Sequence, residues 1–254
     1  MADCKVNVFG VTVEYEQGST YAEIAEDYRE KVDGDIILVT VNGKLCELHK
    51  KIQDGCKVEF VTTKDSVGND TYVRGAIFMM LRAFYGVLGK EKIKRISVEH
   101  TLGKAIYCDY EGKEPLSNEL LNKVKREMQE LNERNLPIIK KSIPTAEAVK
   151  MFKELGMNDK VELFKYRSAS TTNYYELDGF KDYFYGYMPA STGILKVFDL
   201  KLYDEGFLLL LPDTSDTSKV ADYDDRPLLF KTQHEANEWG RKFAEYMIDG
   251  VYSK

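Results

Sequence analysis

Histidine is scarce in this chain of 254 residues, which contains only His49, His100 and His234. No histidine lies four positions from another histidine or from a cysteine, so the sequence has neither an HxxxH nor a CxxxH pair. Pairs at that spacing bring two ligands to one face of a helix or strand, as many zinc sites require. We therefore expect surface or hydrogen-bonded histidines, and no metal or other cofactor in this chain.

Cysteines and long apolar runs are also few. The four cysteines have no CxxC spacing and are too sparse for a disulfide framework, so we expect reduced, packed thiols. No stretch reaches the roughly 18 apolar residues of a membrane span. The N-terminal Met1-Ala2-Asp3-Cys4 lacks the basic and apolar regions of a signal peptide. A cytoplasmic protein without membrane contact is the expectation.

The chain has fewer basic than acidic residues, with 36 Lys and Arg against 42 Asp and Glu, so its net charge is −6. This balance disfavours a non-specific grip on phosphate backbones, which depends on neutralising phosphates with Lys and Arg. Two basic clusters, residues 90–95 and Lys140-Lys141, interrupt the acidic average. We interpret both clusters as solvated surface. Local contact of either cluster with a nucleic acid is the alternative interpretation.

The first 63 residues alternate strand and helix signals. A helix is marked by the capping box of Thr20 and Glu23 and by the apolar residues that follow at helical spacing. Asn42-Gly43 is a hairpin signal, and a last strand is predicted at residues 57–61, after the turn at Asp54-Gly55. These elements predict a β-grasp fold, in which one helix crosses a mixed sheet.

Two strings in this segment, V-N-G-K at 41–44 and V-E-F-V-T-T-K-D at 58–65, occur in a fixed order after the hairpin and helix. In this order they resemble the TGS domain of threonyl-tRNA synthetases. We therefore assign residues 1–64 to a ubiquitin-like, TGS-like β-grasp domain. TGS-like domains of other proteins bind RNA or partner proteins, so the resemblance implies a partner of one of these kinds.

After Asp65 the pattern changes to longer helices and alternating strands, without a Gly/Ser or Pro linker. This pattern predicts an α+β domain with an antiparallel sheet over residues 65–227. Its predicted elements are helices from Tyr72 to about Leu88, from Ser117 and from Thr145, and strands at 93–98, 105–110, 180–187 and 194–203.

The last segment, residues 228–254, is predicted to be a helix. Thr232 and Glu235 form a capping box at its expected start. An apolar stripe follows at helical spacing and consists of Ala236, Trp239, Phe243 and Met247.

Two further strings, K-D-S-V-G at 64–68 and P-A-S-T-G at 189–193, are similar to the anchors of the editing domain shared by threonyl- and alanyl-tRNA synthetases. In that family an HxxxH motif follows the first anchor and a CxxxH motif precedes the second, and their ligands converge on a zinc or water-activating site. The corresponding positions here hold Arg74, Phe78, Phe184 and Met188. The resemblance therefore implies a degenerate editing-type metal site.

Arg74 brings a permanent cation to this site, while the other three positions bring apolar volume. Two interpretations are open. The guanidinium pairs with an internal Asp or Glu, or it binds the carboxylate or phosphate of a small ligand. We favour the internal pair, because ion-paired arginines are common.

Tyrosine recurs at every second position in Tyr183, Tyr185 and Tyr187. In a strand this spacing places the three rings on one face, which packs against the protein, stacks bases or forms an interface. We favour packing, because no Lys or Arg is interleaved with the tyrosines. A dimerisation arm, and so a homo-oligomer, is a further hypothesis.

The strings at 174–186 and 205–212 resemble the N-terminal region of a bacterial uridine kinase-related family, in which TGS and editing-like domains precede a P-loop kinase. The sequence has no Walker A loop, since Gly86-Val-Leu-Gly89-Lys90-Glu91 has the wrong spacing and lacks the hydroxyl. ATP and magnesium would therefore belong to a kinase domain outside this chain, and residues 228–254 would begin the connection to it.

The resemblance implies a non-catalytic regulatory region that binds RNA or a small anionic ligand beside such a kinase. The alternative is an aminoacyl-tRNA editing deacylase related to threonyl-tRNA synthetase. Assays for bound zinc and for deacylation of a mischarged threonine tRNA discriminate between these two hypotheses.

Overall fold

A computed structural model describes residues 3–165 and 169–252, except for the side chains of residues 158–159, 165 and 241–252. The chain divides into two compact units, each built from two separate stretches. The first unit runs to Ala83 and resumes from Met128 to Lys196, and the second contains Phe84–Glu127 and the residues from Val197. The domain boundaries after residues 64 and 227 stay a prediction.

The N-terminal part of the first unit is a β-grasp sheet crossed by one helix. Its strand order is β2-β1-β5-β3-β4, with β1 and β5 parallel at the centre and the other neighbours antiparallel. Its elements are β1 (Asp3–Val8), β2 (Val11–Glu16), α1 (Tyr21–Tyr28), β3 (Ile36–Val41), β4 (Lys44–Glu47) and β5 (Cys56–Thr62).

Local signals place the helix and the hairpin of this sheet. The reciprocal capping box of Thr20 and Glu23 is present at the start of α1, as predicted. Asn42 and Gly43 both have positive φ, at 51° and 78°, which is the geometry of the tight turn that joins β3 to β4. Apolar residues of α1 then pack on one face of the sheet, where Val6, Ile24 and Val58 are almost fully buried.

The rest of the first unit combines helices with a three-stranded antiparallel sheet of order β10-β9-β8. Helix α2 (Ser66–Leu88) and helix α3 (Asn118–Glu133) each supply residues to both units. The other elements are β8 (Ile139–Pro144), α4 (Thr145–Glu154), α5 (Asn158–Lys165), β9 (Thr171–Leu177) and β10 (Phe180–Asp182).

Helix α5 packs on α4, where the Phe164 ring stacks on that of Phe152 with centroids 5.6 Å apart. One sequence-based expectation for this region is wrong. The predicted strand at 180–187 ends at Asp182. Gly186, with φ at 112°, and Pro189 follow in an irregular segment, and neither residue suits a continuing strand.

The second unit is a four-stranded antiparallel sheet of order β11-β12-β7-β6, followed by one helix. Tyr107 lies at its centre, fully buried, and its ring meets Phe230 of the last helix at a centroid distance of 4.8 Å. The elements are β6 (Ile93–Leu102), β7 (Ala105–Gly112), β11 (Asp199–Tyr203), β12 (Gly206–Leu210) and α6 (Pro227–Tyr252).

Helix α6 begins five residues earlier than expected, so the capping box predicted at Thr232 is wrong. Pro227 starts the helix, where a missing backbone N–H costs nothing. The Thr232 hydroxyl instead donates to the Leu228 carbonyl inside the helix, at 2.9 Å. Of the predicted apolar stripe, the Trp239 side chain is 68% exposed, and the side chains of Phe243 and Met247 lie outside the described residues.

The predicted fold class is confirmed as α+β, with a β-grasp domain at the N-terminus and antiparallel sheets after it. Over the residues that the structure describes, no helix combines the length and apolar character needed to cross a membrane.

The partly buried ring of His100 makes the stability of the second unit sensitive to pH. His100 stacks on Tyr107, and burial lowers its pKa below the usual value of about 6.5, which nearby His234 lowers further and Glu99 partly restores. The folded state favours the neutral ring. The contribution of His100 to the free energy of unfolding is therefore fully present above about pH 6.5, and it is lost as the pH falls towards the folded-state pKa.

We expect the thermal unfolding midpoint of the protein to fall between pH 7.5 and pH 5.5, and to fall less in His100→Gln. Circular dichroism melts at intervals of half a pH unit measure both curves. Parallel curves for the two proteins would contradict a contribution from His100.

Candidate functional site

One face of helix α2 carries Arg74, Phe78 and Arg82, which are spaced four residues apart. Phe78 is fully buried, and its ring lies 5.8 Å from that of Phe180 on β10. Arg82 donates to Asp178, in the turn between β9 and β10, at 2.7 Å. The β9–β10 hairpin therefore packs along this face of α2.

The segment after β10 returns to the same helix. The Phe184 ring meets Phe78 edge-on at a centroid distance of 5.3 Å, and Met188 is only 1% exposed. Arg74 contacts the backbone of the same segment, as described below. The structure thus places the four candidate positions at one contact between α2 and residues 184–188, although this segment is a loop and not a strand.

The Arg74 guanidinium is half-buried and binds backbone. Its Nε donates to the Tyr187 carbonyl at 2.8 Å, and Nη2 donates to the Thr71 hydroxyl at 3.0 Å. Gly186 lies against the guanidinium so closely that a Cβ there would come within 3.1 Å of it. Burial lowers the pKa of Arg74, and the charges of Asp70 and Glu47 oppose that shift.

Glu47 is the main residue of the site that the sequence did not reveal. It ends strand β4 of the TGS-like sheet, and it is only 3% exposed. Oε1 accepts hydrogen bonds from the Tyr175 hydroxyl at 2.8 Å and the Met188 N–H at 3.1 Å. Oε2 accepts from Lys140 Nζ at 3.1 Å. Since these partners are 93 to 141 residues away, no local motif could indicate the role of Glu47.

Tyr175 links Glu47 to the segment after β10. Its hydroxyl lies 2.8 Å from Glu47 Oε1 and 3.0 Å from the Gly186 carbonyl, so two acceptors face one donor. Burial raises the pKa of Tyr175, and the Glu47 carboxylate raises it further. The phenol therefore stays protonated and acts as a fixed hydrogen-bond donor.

The anchor string at 189–193 is fixed by the end of α3. The Thr192 hydroxyl donates to the Leu131 carbonyl at 2.6 Å and accepts the Leu136 N–H at 2.8 Å. The Asn135 side chain accepts the Gly193 N–H at 3.1 Å. These contacts hold the end of the segment that carries Phe184 and Met188.

The three candidate tyrosines do not share a strand face, because the strand ends before them. Tyr183 packs into the core of α4 and α5, with its ring 5.0 Å from Phe164. Tyr187 is half-buried, and Tyr185 is 86% exposed. Tyr185 is therefore the ring of the three that is most open to a partner.

The residues at this site do not fit a metal ion. A guanidinium remains positively charged and cannot coordinate a cation, and the other three positions offer phenyl rings and a thioether. Within the described ranges, no group of three or more His, Cys, Asp or Glu side chains is arranged to hold a metal. His49 lies beside the site, with its Nε2 3.9 Å from Glu47 Oε2.

Comparisons with known proteins support, at a coarse level, the resemblances to the TGS domain and to threonyl-tRNA synthetases. The family model for the TGS domain matches residues 9–62. Threonine–tRNA ligase of Thermotoga petrophila is 31% identical over 192 residues, or 75% of this chain, and that of Thermotoga sp. strain RQ2 is 32% identical over the same length. The enzyme of Carboxydothermus hydrogenoformans is 28% identical over 188 residues.

The chain spans about 29% of the length of these relatives. It contains a TGS domain and is homologous to the N-terminal region of threonine–tRNA ligases, which comprises the TGS and editing-like domains. These relatives favour the tRNA-related alternative over a uridine kinase parent, for which the comparisons give no support.

Close packing between α2 and the anchor segment gives a test of the site geometry. A Cβ added at Gly75 would lie 2.5 Å from Pro189 Cγ, whereas one added at Gly240, also helical, would meet nothing within 4 Å. Gly75→Ala should lower the free energy of unfolding by about 1–3 kcal/mol through overpacking. Gly240→Ala should raise it by up to about 1 kcal/mol.

Urea unfolding of the two variants beside the unmodified protein measures both changes. If Gly75→Ala proved as stable as Gly240→Ala, the close approach of Pro189 to α2 would be refuted.

Proposed function

We propose that this chain serves aminoacyl-tRNA editing by recognising the aminoacylated end of a tRNA. Two observations carry the proposal together, the similarity to threonine–tRNA ligases over 192 residues and the match of the TGS model to residues 9–62. Threonine tRNA is the candidate partner, because the relatives are named for it.

The charges of the site suit an anionic ligand such as a terminal phosphate. Arg74 uses Nε and Nη2 for the backbone and hydroxyl contacts described above, and among the described residues Nη1 donates no hydrogen bond. Asp178 faces two arginines, Arg82 at 2.7 Å and Arg134 at 3.5 Å. Positive charge therefore remains on this face of a chain whose net charge is −6.

An exposed aromatic residue lies in the same loop segment that binds Arg74. Tyr185 lies two residues from Tyr187, whose carbonyl binds Arg74, and it is 86% exposed. Base stacking on an aromatic side chain contributes about 1–3 kcal/mol per base. In our proposal Tyr185 stacks on a terminal base while Arg74 binds a neighbouring phosphate.

Arg74→Gln should weaken binding of threonyl-tRNA about tenfold, since a hydrogen bond to a charged group contributes about 1.5–3 kcal/mol and 1.4 kcal/mol corresponds to a factor of ten. Filter binding at low salt measures the dissociation constants. Arg126→Gln is the matched control, because Arg126 is an exposed arginine of α3 in the other unit. Equal losses in the two variants, or no binding by the unmodified protein, would refute the proposal.

Hydrolysis of the aminoacyl ester is the second candidate, and the similarity to the ligases favours it. Such a reaction needs a group that activates water. The Glu47 carboxylate lies in the right region, but Tyr175, Met188 and Lys140 already donate to it. Glu47 is thus held as a structural acceptor.

Release of the amino acid from tRNA charged with threonine or serine tests this second candidate directly. Serine is informative because it differs from threonine by one methyl group, a difference that binding alone discriminates poorly. Release well above the spontaneous rate assigns a deacylase activity to the chain. Release at the spontaneous rate rules out the deacylase, and filter binding then decides whether the tRNA is recognised.

The uridine kinase parent remains a separate hypothesis, motivated by the strings at 174–186 and 205–212. ATP-dependent phosphorylation of uridine by the full gene product tests it. Self-association through Tyr185 is likewise a proposal, which the mass of the protein in solution tests.

A further inference from the structure

A single peptide unit of the candidate site is held between two opposite charges. The carbonyl of the Tyr187–Met188 peptide accepts a hydrogen bond from Arg74 Nε at 2.8 Å, and the N–H of the same peptide donates to Glu47 Oε1 at 3.1 Å. The cation belongs to helix α2 and the anion to strand β4 of the TGS-like sheet. Two elements distant in sequence therefore bind opposite ends of one peptide dipole.

We propose that Glu47 is the positioning residue of the candidate site. Through this peptide it holds residues 184–188 against α2 and orients Arg74 towards a ligand. A metal ion would join the same two segments if the four converging positions carried ligands, but Arg74, Phe78, Phe184 and Met188 do not fit one. The ligand-binding part of the proposal rests on the proposed function, and the positioning part does not.

The surroundings of Glu47 support a fixed geometry. A buried carboxylate is stable only when donors satisfy it. Lys140 and Tyr175, which are paired across strands β8 and β9, and the Met188 N–H supply the hydrogen bonds. Tyr175 also reaches the Gly186 carbonyl, at 3.0 Å. The carboxylate and the phenol together contact the backbone on both sides of Tyr187.

Glycine at position 186 keeps the guanidinium against the segment. Its φ of 112° is a conformation that other residues adopt rarely, and a Cβ would come within 3.1 Å of Arg74. Arg74 is therefore fixed by backbone on one edge, while Nη1 donates to none of the described residues. When the peptide loses its anionic partner, the Thr71 hydroxyl is the remaining contact that orients the guanidinium, so the position of the Nη1 edge is less closely fixed.

Hydrogen–deuterium exchange of the Met188 amide tests the positioning role without any ligand. In Glu47→Ala, exchange of the amides in residues 184–188 should accelerate at least tenfold, and in Glu47→Gln it should accelerate less, because an amide oxygen still accepts. Glu176→Gln is the matched control, since Glu176 forms a Lys141 ion pair at 2.7 Å on the same sheet. The control should leave this exchange unchanged.

Binding of threonyl-tRNA to the same variants tests the ligand-related part. Weaker binding by Glu47→Ala together with faster exchange supports both parts. Faster exchange without tRNA binding by any protein refutes the proposed function and leaves the positioning role supported. Unchanged exchange in Glu47→Ala overturns the positioning role.

A milder variant distinguishes a general loss of structure from a local loss of positioning at residues 184–188. If Glu47→Ala accelerates exchange throughout the first unit, Tyr175→Phe replaces it, because this change removes one donor and keeps the carboxylate. Acceleration limited to residues 184–188 in Tyr175→Phe supports the proposal. Uniform acceleration there, or none, overturns it.

Discussion

The buried carboxylate of Glu47 is the interaction on which the candidate site depends. Leaving a charge unpaired inside a protein is costly, so the chain must bring donors to it from elsewhere in the fold. Lys140 of β8, Tyr175 of β9 and the Met188 N–H do so. One side chain of the TGS-like sheet thereby determines where three later parts of the chain lie. This constraint explains why the TGS-like sheet and the β8–β10 sheet fall in one compact unit.

The same constraint explains how the site keeps its shape with apolar residues at three of its four positions. Phe78 and Phe184 fill the contact between α2 and the loop, but ring contacts are weakly directional and fix a loop only approximately. Directional bonds from Arg74 and Glu47 to one peptide supply what the rings lack. Burial of the rings in turn excludes water, which strengthens these charged hydrogen bonds. The apolar rings and the hydrogen bonds of Arg74 and Glu47 therefore stabilise the same loop in complementary ways.

The β-grasp sheet was predictable because its signals are local. Asn42-Gly43 determines a turn and the Thr20–Glu23 box determines a helix start within four residues. The prediction of a strand through Tyr187 was wrong because the structure there depends on contacts that are distant in the sequence. The alternation there is genuine, but the strand ends at Asp182, and Gly186 beyond it has a positive φ and lies against the guanidinium of Arg74 from helix α2. Arg74 was identified by its position between two anchors, whereas Glu47 has partners only at long range and lies in no motif.

Net charge is a poor guide to what this site can bind. A value of −6 spread over 254 residues acts through solvent, where salt screens charges beyond roughly 8–10 Å. A ligand at the site responds to the groups within that distance. At Arg74 these groups are the carboxylates of Asp70 and Glu47, and Glu47 also accepts a hydrogen bond from Lys140. Because both carboxylates act on Arg74, an anion that approaches the guanidinium competes with them, and the edge open to it is Nη1, which donates to none of the described residues.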